Sequence, residues 1–330
     1  NAEAVTPVSI TSLCALPGDE LLYSLESEDM GGLFRFELKQ DRENRLFHNT
    51  DFRISYLDFD PTQNLIACTK AYNTGSINLA TLKPDAVRPT DITEGDSLDL
   101  APKWIGKGAL IYQSAGISRS AQGYVVGRAP FIIEKFDPTR QQITTLAEDP
   151  KSDLLGPQMD SAGRLYYIRR PYKARKGSFN LLQALKEILF IPFRLLLAII
   201  GFFNMFSTLY TVKPLISADT REKVDTPSSL RVWGEALSPE NIIKKHQKDA
   251  EAPALVPKSW ELVRQGMQGT PEVLATSVLS YDLADDGTVV YTNGSGIYQI
   301  EGDQQENDPL RHPKAKRITV GKLVEQVKFV

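Results

Sequence analysis

Residues 285–291 read DDGTVVY, a turn of two aspartates and a glycine followed by three β-branched residues and an aromatic. Glycine supplies the positive φ a tight turn needs, and Thr, Val and Tyr favour the pleated strand. The segment is therefore a strand entered through a sharp turn. The same arrangement stands at 17–23 (PGDELLY), 106–112 (GKGALIY) and 161–167 (SAGRLYY), and in degenerate form at 60–68 (DPTQNLIAC). The structural anchors of the repeat are Tyr23, Cys68, Tyr112, Tyr167 and Tyr291.

The spacing of these anchors is regular. Tyr23 to Cys68 is 45 residues, Cys68 to Tyr112 is 44 and Tyr112 to Tyr167 is 55, whereas Tyr167 to Tyr291 is 124. The last interval fits one repeat carrying an insertion of roughly 80 residues on the ~40–45-residue period of propeller blades. Each anchor is preceded by a strand-like run (ITSLCAL, ISYLDFD, LAPKWIG, LLGPQMD, LSYDLAD). In four of the repeats a third and a fourth run come after it, as in GLFRFELKQD and NRLFH, or PFIIEKFDPTR and QQITTLAED. Four short antiparallel strands per repeat, punctuated by Gly, Asp and Pro, predict an all-β β-propeller of about five four-stranded blades. The final residues LVEQVKFV, 323–330, read as the first strand of a further blade, which either seals the ring or opens onto more chain.

These copies resemble the WD40-like repeats of TolB-type propellers, in which a Pro-Asp-Gly turn leads into a strand ending in an aromatic. The resemblance covers most of 8–170 and 258–330, and DPTQN, GKG and DSAG depart from its turn. It implies a rigid interaction platform, and a fold alone carries no activity.

The interruption falls in the fourth repeat, between its second strand at Leu165–Ile168 and its third at 259–265 (SWELVRQ), with a fourth near Val273–Ser277. Three parts are expected: 1–171 as the first part of the propeller, 172–257 as an insertion and 258–330 as the second part. Inside the insertion, 179–212 read FNLLQALKEILFIPFRLLLAIIGFFNMFSTLYTV, entered through Arg169, Arg170, Lys173, Arg175 and Lys176. Residues 179–210 are predicted mainly helical, with a break at Pro192. On a helix Gln183, Lys186, Glu187, Arg194, Asn204 and Thr208 share one narrow sector, and the rest of the circumference is apolar. A single membrane crossing would put two strands of one blade on opposite sides of a bilayer, so an interfacial placement is preferred.

Phe190, Phe193, Leu196, Ile200, Phe202, Phe203 and Phe206 are then the candidate membrane or partner contacts, with the basic cluster on anionic headgroups. Two other placements stay open: docking on the propeller or on a second copy as a homodimer, and contact with another protein. Farther on, Ser238, Pro239 and Glu240 read as a helix start, and AEAPALVPKS as a linker back into the blade.

No reaction centre emerges. A net charge of −3 advertises no nucleic-acid partner. His48, His246 and His312 are isolated, no zinc spacing exists, and Gly294–Gly296 reads as a hairpin turn. Asp282–Gly287 lacks the ligand pattern of a calcium loop. No catalytic, cofactor-binding or metal-binding residue is assigned. Cys14 and Cys68 lie in apolar runs and read as small buried hydrophobes. The first residues, NAEAVTPVSI, show no signal-peptide pattern.

The resulting expectation is a non-enzymatic propeller scaffold binding other proteins, peripheral on the cytoplasmic face of a membrane, or periplasmic if an upstream signal has been removed. Its rivals are a ligand-binding or hydrolytic propeller with a channel-mouth site lidded by the insertion, and a soluble TolB-like module dimerising through it.

Overall fold

The computed structural model describes residues 9–27, 30–50, 53–84, 88–106, 108–173, 230–238, 242–243, 251–266, 269–302, 315–321 and 323–329. The chain divides into Asn1–Ala174 with Ser228–Val330 as one unit and Arg175–Pro227 as another. The second unit lies outside the described residues, and so does the helix expected over 179–210.

Among the described residues, five four-stranded antiparallel units succeed one another. The first is β1 (Ser9–Leu16), β2 (Glu20–Glu26), β3 (Gly31–Glu37) and β4 (Arg42–Asn49), paired in chain order. The second is β5 (Ile54–Asp60), β6 (Leu65–Ala71), β7 (Ile77–Leu82) and the short β8 (Thr90–Asp91). The third is β9 (Ser97–Ile105), β10 (Ala109–Arg119), β12 (Ile132–Asp137) and β13 (Gln142–Ala147), with β11 (Val125–Arg128) folded back on the far end of β10. A single parallel pair, Ile77 with Leu98, joins the second unit to the third.

The fourth unit is the interrupted one. Its strands are β14 (Ser152–Met159), β15 (Leu165–Pro171), β18 (Glu261–Gln265) and β19 (Glu272–Thr276). Between β15 and β18 stands a separate hairpin, β16 (Leu230–Val232) with β17 (Glu235–Leu237). The fifth unit is β20 (Ser280–Leu283), β21 (Val289–Thr292), β22 (Gly296–Ile300) and β23 (Lys316–Val320).

The turns that open the second strands behave as their composition demands. Gly287 sits at φ 84° and donates its N–H to Ala284 C=O at 3.0 Å, while Asp286 accepts the Thr288 N–H at 2.8 Å. That is a β-turn and not a calcium loop. Cores form between successive units, as expected where sheets pack face to face. Leu22, Leu33, Leu57, Ile66 and Cys68 join the first to the second, and Ile111, Ile133, Leu154, Tyr167 and Val263 the third to the fourth. Tyr166, Ile168, Trp260, Leu279 and Tyr291 belong to the largest cluster, around the fourth and fifth.

One expectation changes here. The stretch read as a linker supplies core: Ala252, Leu255 and Val256 are buried, and Leu255 N–H donates to Asn293 C=O at 2.9 Å. Its alternation of Ala, Leu and Val with proline has no strand period, so the burial was not legible. Of the helix expected from Ser238, Ile242 N–H reaches Ser238 C=O at 3.4 Å, and Ile242 and Ile243 pack against the largest cluster. The neighbouring residues lie outside those described.

Candidate channel-mouth site

The first strands β1, β5, β9, β14 and β20 contact one another in series and line a central channel. Their sequences carry a local irregularity that shapes it. β5, β9 and β14 each bulge, with Tyr56, Ala101 and Gly156 at φ 53°, 52° and 58°. A bulge breaks the pairing for one residue and re-aims the side chains beyond it.

Beyond the bulges lies one register position repeated around the channel. Cys14, Asp58, Lys103, Gln158 and Asp282 each pair with the residue just before the anchor on the next strand: Leu22, Ala67, Ile111, Tyr166 and Val290. Asp58, Lys103 and Gln158 each bond to a neighbouring unit, and Asp282 holds the segment at 328–329. Lys103 Nζ lies 2.7 Å from Asp58 Oδ1, and Trp104 N–H donates to Asp58 Oδ2 at 2.8 Å. Gln158 donates to Tyr281 C=O at 3.2 Å and accepts the Leu283 N–H at 3.2 Å. Asp282 accepts from Lys328 Nζ at 3.3 Å and from the Phe329 N–H at 2.8 Å. Burial acts to lower the Lys103 pKa, but Asp58 and then Asp282 overcome it and raise it. Lys328 is lowered, by burial first and by Lys103 second.

On one side of this layer is a cavity of about 200 Å³ walled by Tyr56, Gly156, Tyr281 and Trp233. On the other, a more open one of about 630 Å³ is lined by Asp60, Trp104, Met159 and Asp285.

Trp233 arrives on the tip of the β16–β17 hairpin. Trp233 and Gly234 stand at φ 50° and 74°, the two positive values of a tight two-residue hairpin turn. The indole stacks on Tyr56 with ring centres 5.5 Å apart and planes 19° off parallel, and its Nε1–H donates to Leu279 C=O at 3.0 Å. A Cβ on Gly156 would meet the indole at 3.1 Å, so glycine lets the ring lie close. Tyr281 O–H donates to Gly156 C=O at 2.6 Å and fixes the wall.

The hairpin is latched by charge. Arg170 Nη2 donates to Trp233 C=O at 3.0 Å, its Nε donates to Asp153 at 3.0 Å, and its Nη1 lies 3.6 Å from Glu235. Arg128 clamps Asp153 with two bonds of 2.7 Å. Lys173 is hydrogen-bonded to Glu235. Burial acts to raise the Asp153 pKa, but Arg128, the Phe131 N–H and Arg170 outweigh it and lower it.

The residues singled out from sequence separate here. Arg169 pairs with Glu261 at 2.7 Å, and Arg170 is 2% exposed. Arg170 therefore does not present to a headgroup surface: a strand position facing a buried carboxylate has taken it into the fold. Lys173 remains exposed beside Glu235. Arg175, Lys176, Phe190, Phe193, Leu196, Ile200, Phe202, Phe203 and Phe206 lie outside the described residues. Among the anchors, Cys68, Tyr112, Tyr167 and Tyr291 are buried, while half-buried Tyr23 stacks on Phe34 and donates to Glu43. Cys14 and Cys68 are free, buried thiols. Among the described residues no three His, Cys, Asp or Glu gather to hold a metal ion, and no helix is long and apolar enough to cross a membrane.

Units of four antiparallel strands around a channel define a β-propeller fold. The chain is similar to TolB from Acinetobacter baumannii at 12% identity and a TM-score of 0.53, over 97% of this chain and 56% of that one. It is also similar to a putative TolB from Agrobacterium tumefaciens (13% identity, TM-score 0.48, 96% and 82% of the two chains). A third similar structure is that of a nidogen/laminin complex (10%, 0.49, 96% and 86%). The likeness is one of fold, and the chain spans little more than half the length of the first of these. No protein-family model matches the sequence, and no curated protein does.

Proposed function

We propose that this chain is a protein-interaction propeller whose channel mouth recognises a partner and carries out no reaction. The carrying observation is that four charged groups of the channel are engaged with one another, Asp58 with Lys103 and Asp282 with Lys328. A general acid or nucleophile needs a group poised toward substrate. Here one pair joins neighbouring units and the other holds the segment at 328–329 to the fifth. The TolB-like fold supports the same reading by analogy.

Photo-crosslinkers placed singly at Pro102, Pro157 and Glu325, which line the mouth, test it against crosslinkers on exposed rim positions such as Ile143 and Ile318. One protein captured repeatedly from the mouth positions and not from the rim is the expected result. Turnover of peptide or ester substrates, abolished by Asp58→Asn, would overturn the reading.

The insertion carries the second half of the proposal: peripheral attachment to an anionic membrane surface, on the cytoplasmic face or, for an exported form, the periplasmic one. Its support is the sequence, in which Lys173, Arg175 and Lys176 adjoin an apolar run containing Phe202, Phe203 and Phe206. Co-flotation with phosphatidylglycerol vesicles, but not phosphatidylcholine vesicles, should be lost when 175–227 are removed. Equal flotation of both forms would reject attachment through the insertion.

A further inference from the structure

The hairpin β16–β17 forms a two-stranded sheet of its own and pairs with no third strand among the described residues. Its strands are three residues each, and an isolated hairpin of that size is marginal in water. It is held instead by side chains: the Trp233 stack and indole N–H bond, Leu237 in the core, and Glu235 between Arg170 and Lys173. Removing it would break no ladder bond of any blade. The Arg170 Nη1 to Glu235 distance of 3.6 Å is an ion pair beyond hydrogen-bond reach, so part of the latch is loose.

The place it occupies has the features of a recognition slot. Tyr56 gives a flat aromatic face, Gly156 a floor without a side chain, and Leu279 C=O an acceptor matched to an indole N–H. The slot adjoins the channel cavity of about 200 Å³, which Tyr56, Gly156, Tyr281 and Trp233 all line. Aromatic anchors in desolvated pockets carry most of the energy of protein interfaces. Pockets at channel mouths with a few convergent polar groups are where ligands bind.

We propose that the slot formed by Tyr56, Gly156, Leu279 and Tyr281 is the partner-binding site, made for a tryptophan carried on a tight turn. Trp233 occupies it in cis. A partner protein offering such a turn binds by displacing the β16–β17 hairpin, whose latch of Arg170, Asp153 and Glu235 sets the threshold. The proposal rests on the interaction-module reading above, and it names the site and the chemistry of the partner.

The test uses the full chain and a backbone-cyclised peptide of the hairpin's own sequence, LRVWGEAL. A Trp233→Ala chain should bind it at least tenfold more tightly than wild type, in which the hairpin competes. The same peptide with alanine for tryptophan should bind neither. A folded Trp233→Ala chain that ignores the peptide, or peptides that bind alike with and without tryptophan, would overturn the proposal.

Should Trp233→Ala lose its cooperative melt, Glu235→Gln decides, since it loosens the latch and leaves the slot walls intact. A gain in peptide affinity over wild type supports the slot; no gain overturns it. Failure here with partner crosslinking intact at the mouth would sink the slot alone. Failure of crosslinking at every mouth position would sink the interaction reading itself.

Discussion

Lys103 and Asp58 meet at 2.7 Å across two neighbouring blades, each from the same register position of its own first strand. The pair is a cross-blade tie built from a repeated site, and its members are 45 residues apart. Lys103→Met leaves Asp58 with the Trp104 N–H and only the more distant charge of Lys328. Loss of one partner from a buried pair costs about 3–5 kcal/mol, and the low end applies because both side chains border the channel cavity. The charge-reversed double variant Asp58→Lys with Lys103→Asp should recover part of this in urea denaturation. Single variants within about 0.5 kcal/mol of wild type would reject the tie.

The anchors differ in depth, and truncation should rank them. Tyr112 is 1% exposed and donates to Glu134 at 2.8 Å, whereas Tyr23 is half-buried. Tyr112→Ala should cost ~3–5 kcal/mol, as large buried aromatics do. Tyr23→Ala should cost clearly less. Equal losses would show that position in the repeat, and not burial, sets the energy.

Asp153 gives the pH dependence. Its pKa in the folded chain lies below the ordinary carboxyl value of about 3.9. A depressed carboxylate contributes stability above its unfolded pKa and loses it as pH falls through the folded one. Asp153→Asn should therefore be less stable than wild type at pH 7, and the gap should close as pH drops below about 4. A gap independent of pH would mean the carboxylate charge is not what holds Arg128 and Arg170.

Burial pushes the thiols of Cys14 and Cys68 up to about 12. Only the thiolate reacts, so at about pH 8, where an unperturbed thiol is partly ionised, neither should titrate with a disulfide reagent in the folded chain. In urea both should react. Rapid labelling of either in native protein would contradict its place between the first two blades.

The propeller was legible because its signals are local. Gly-containing turns at 18, 108, 163 and 287 stand four or five residues before the tyrosine of the strand they open, and the strands alternate with period two. Even the interrupted unit could be placed, since SWELVRQ keeps that alternation and β18 is Glu261–Gln265. The channel was not legible. Asp58, Lys103, Gln158 and Asp282 share nothing in sequence except a register position, which only pairing with the next strand reveals. Trp233 was hidden for another reason: a two-residue Trp-Gly turn between three-residue strands lacks the Asn-Gly or Asp-Gly signature and sits in a polar stretch. Arg170 misled in the opposite direction, because a basic run reads as a surface whether or not a buried carboxylate such as Asp153 comes to meet it.

Two deletions separate the insertion from the propeller. Removing 175–227 and joining the ends by a short flexible linker should leave a folded β protein, because the strands of the fourth unit and the β16–β17 hairpin are all retained. Removing 172–257 deletes Trp233, Leu237, Leu255 and Val256 as well, all of which pack in or against the largest core cluster. Truncating one buried leucine costs about 2–5 kcal/mol. Losing several together approaches the whole stability of a typical domain, about 5–15 kcal/mol. The shorter deletion should melt cooperatively with a near-native β signal in circular dichroism, and the longer one should not. If both melt alike, the segment from 228 to 257 is dispensable, and the core assigned to Leu237, Leu255 and Val256 is wrong.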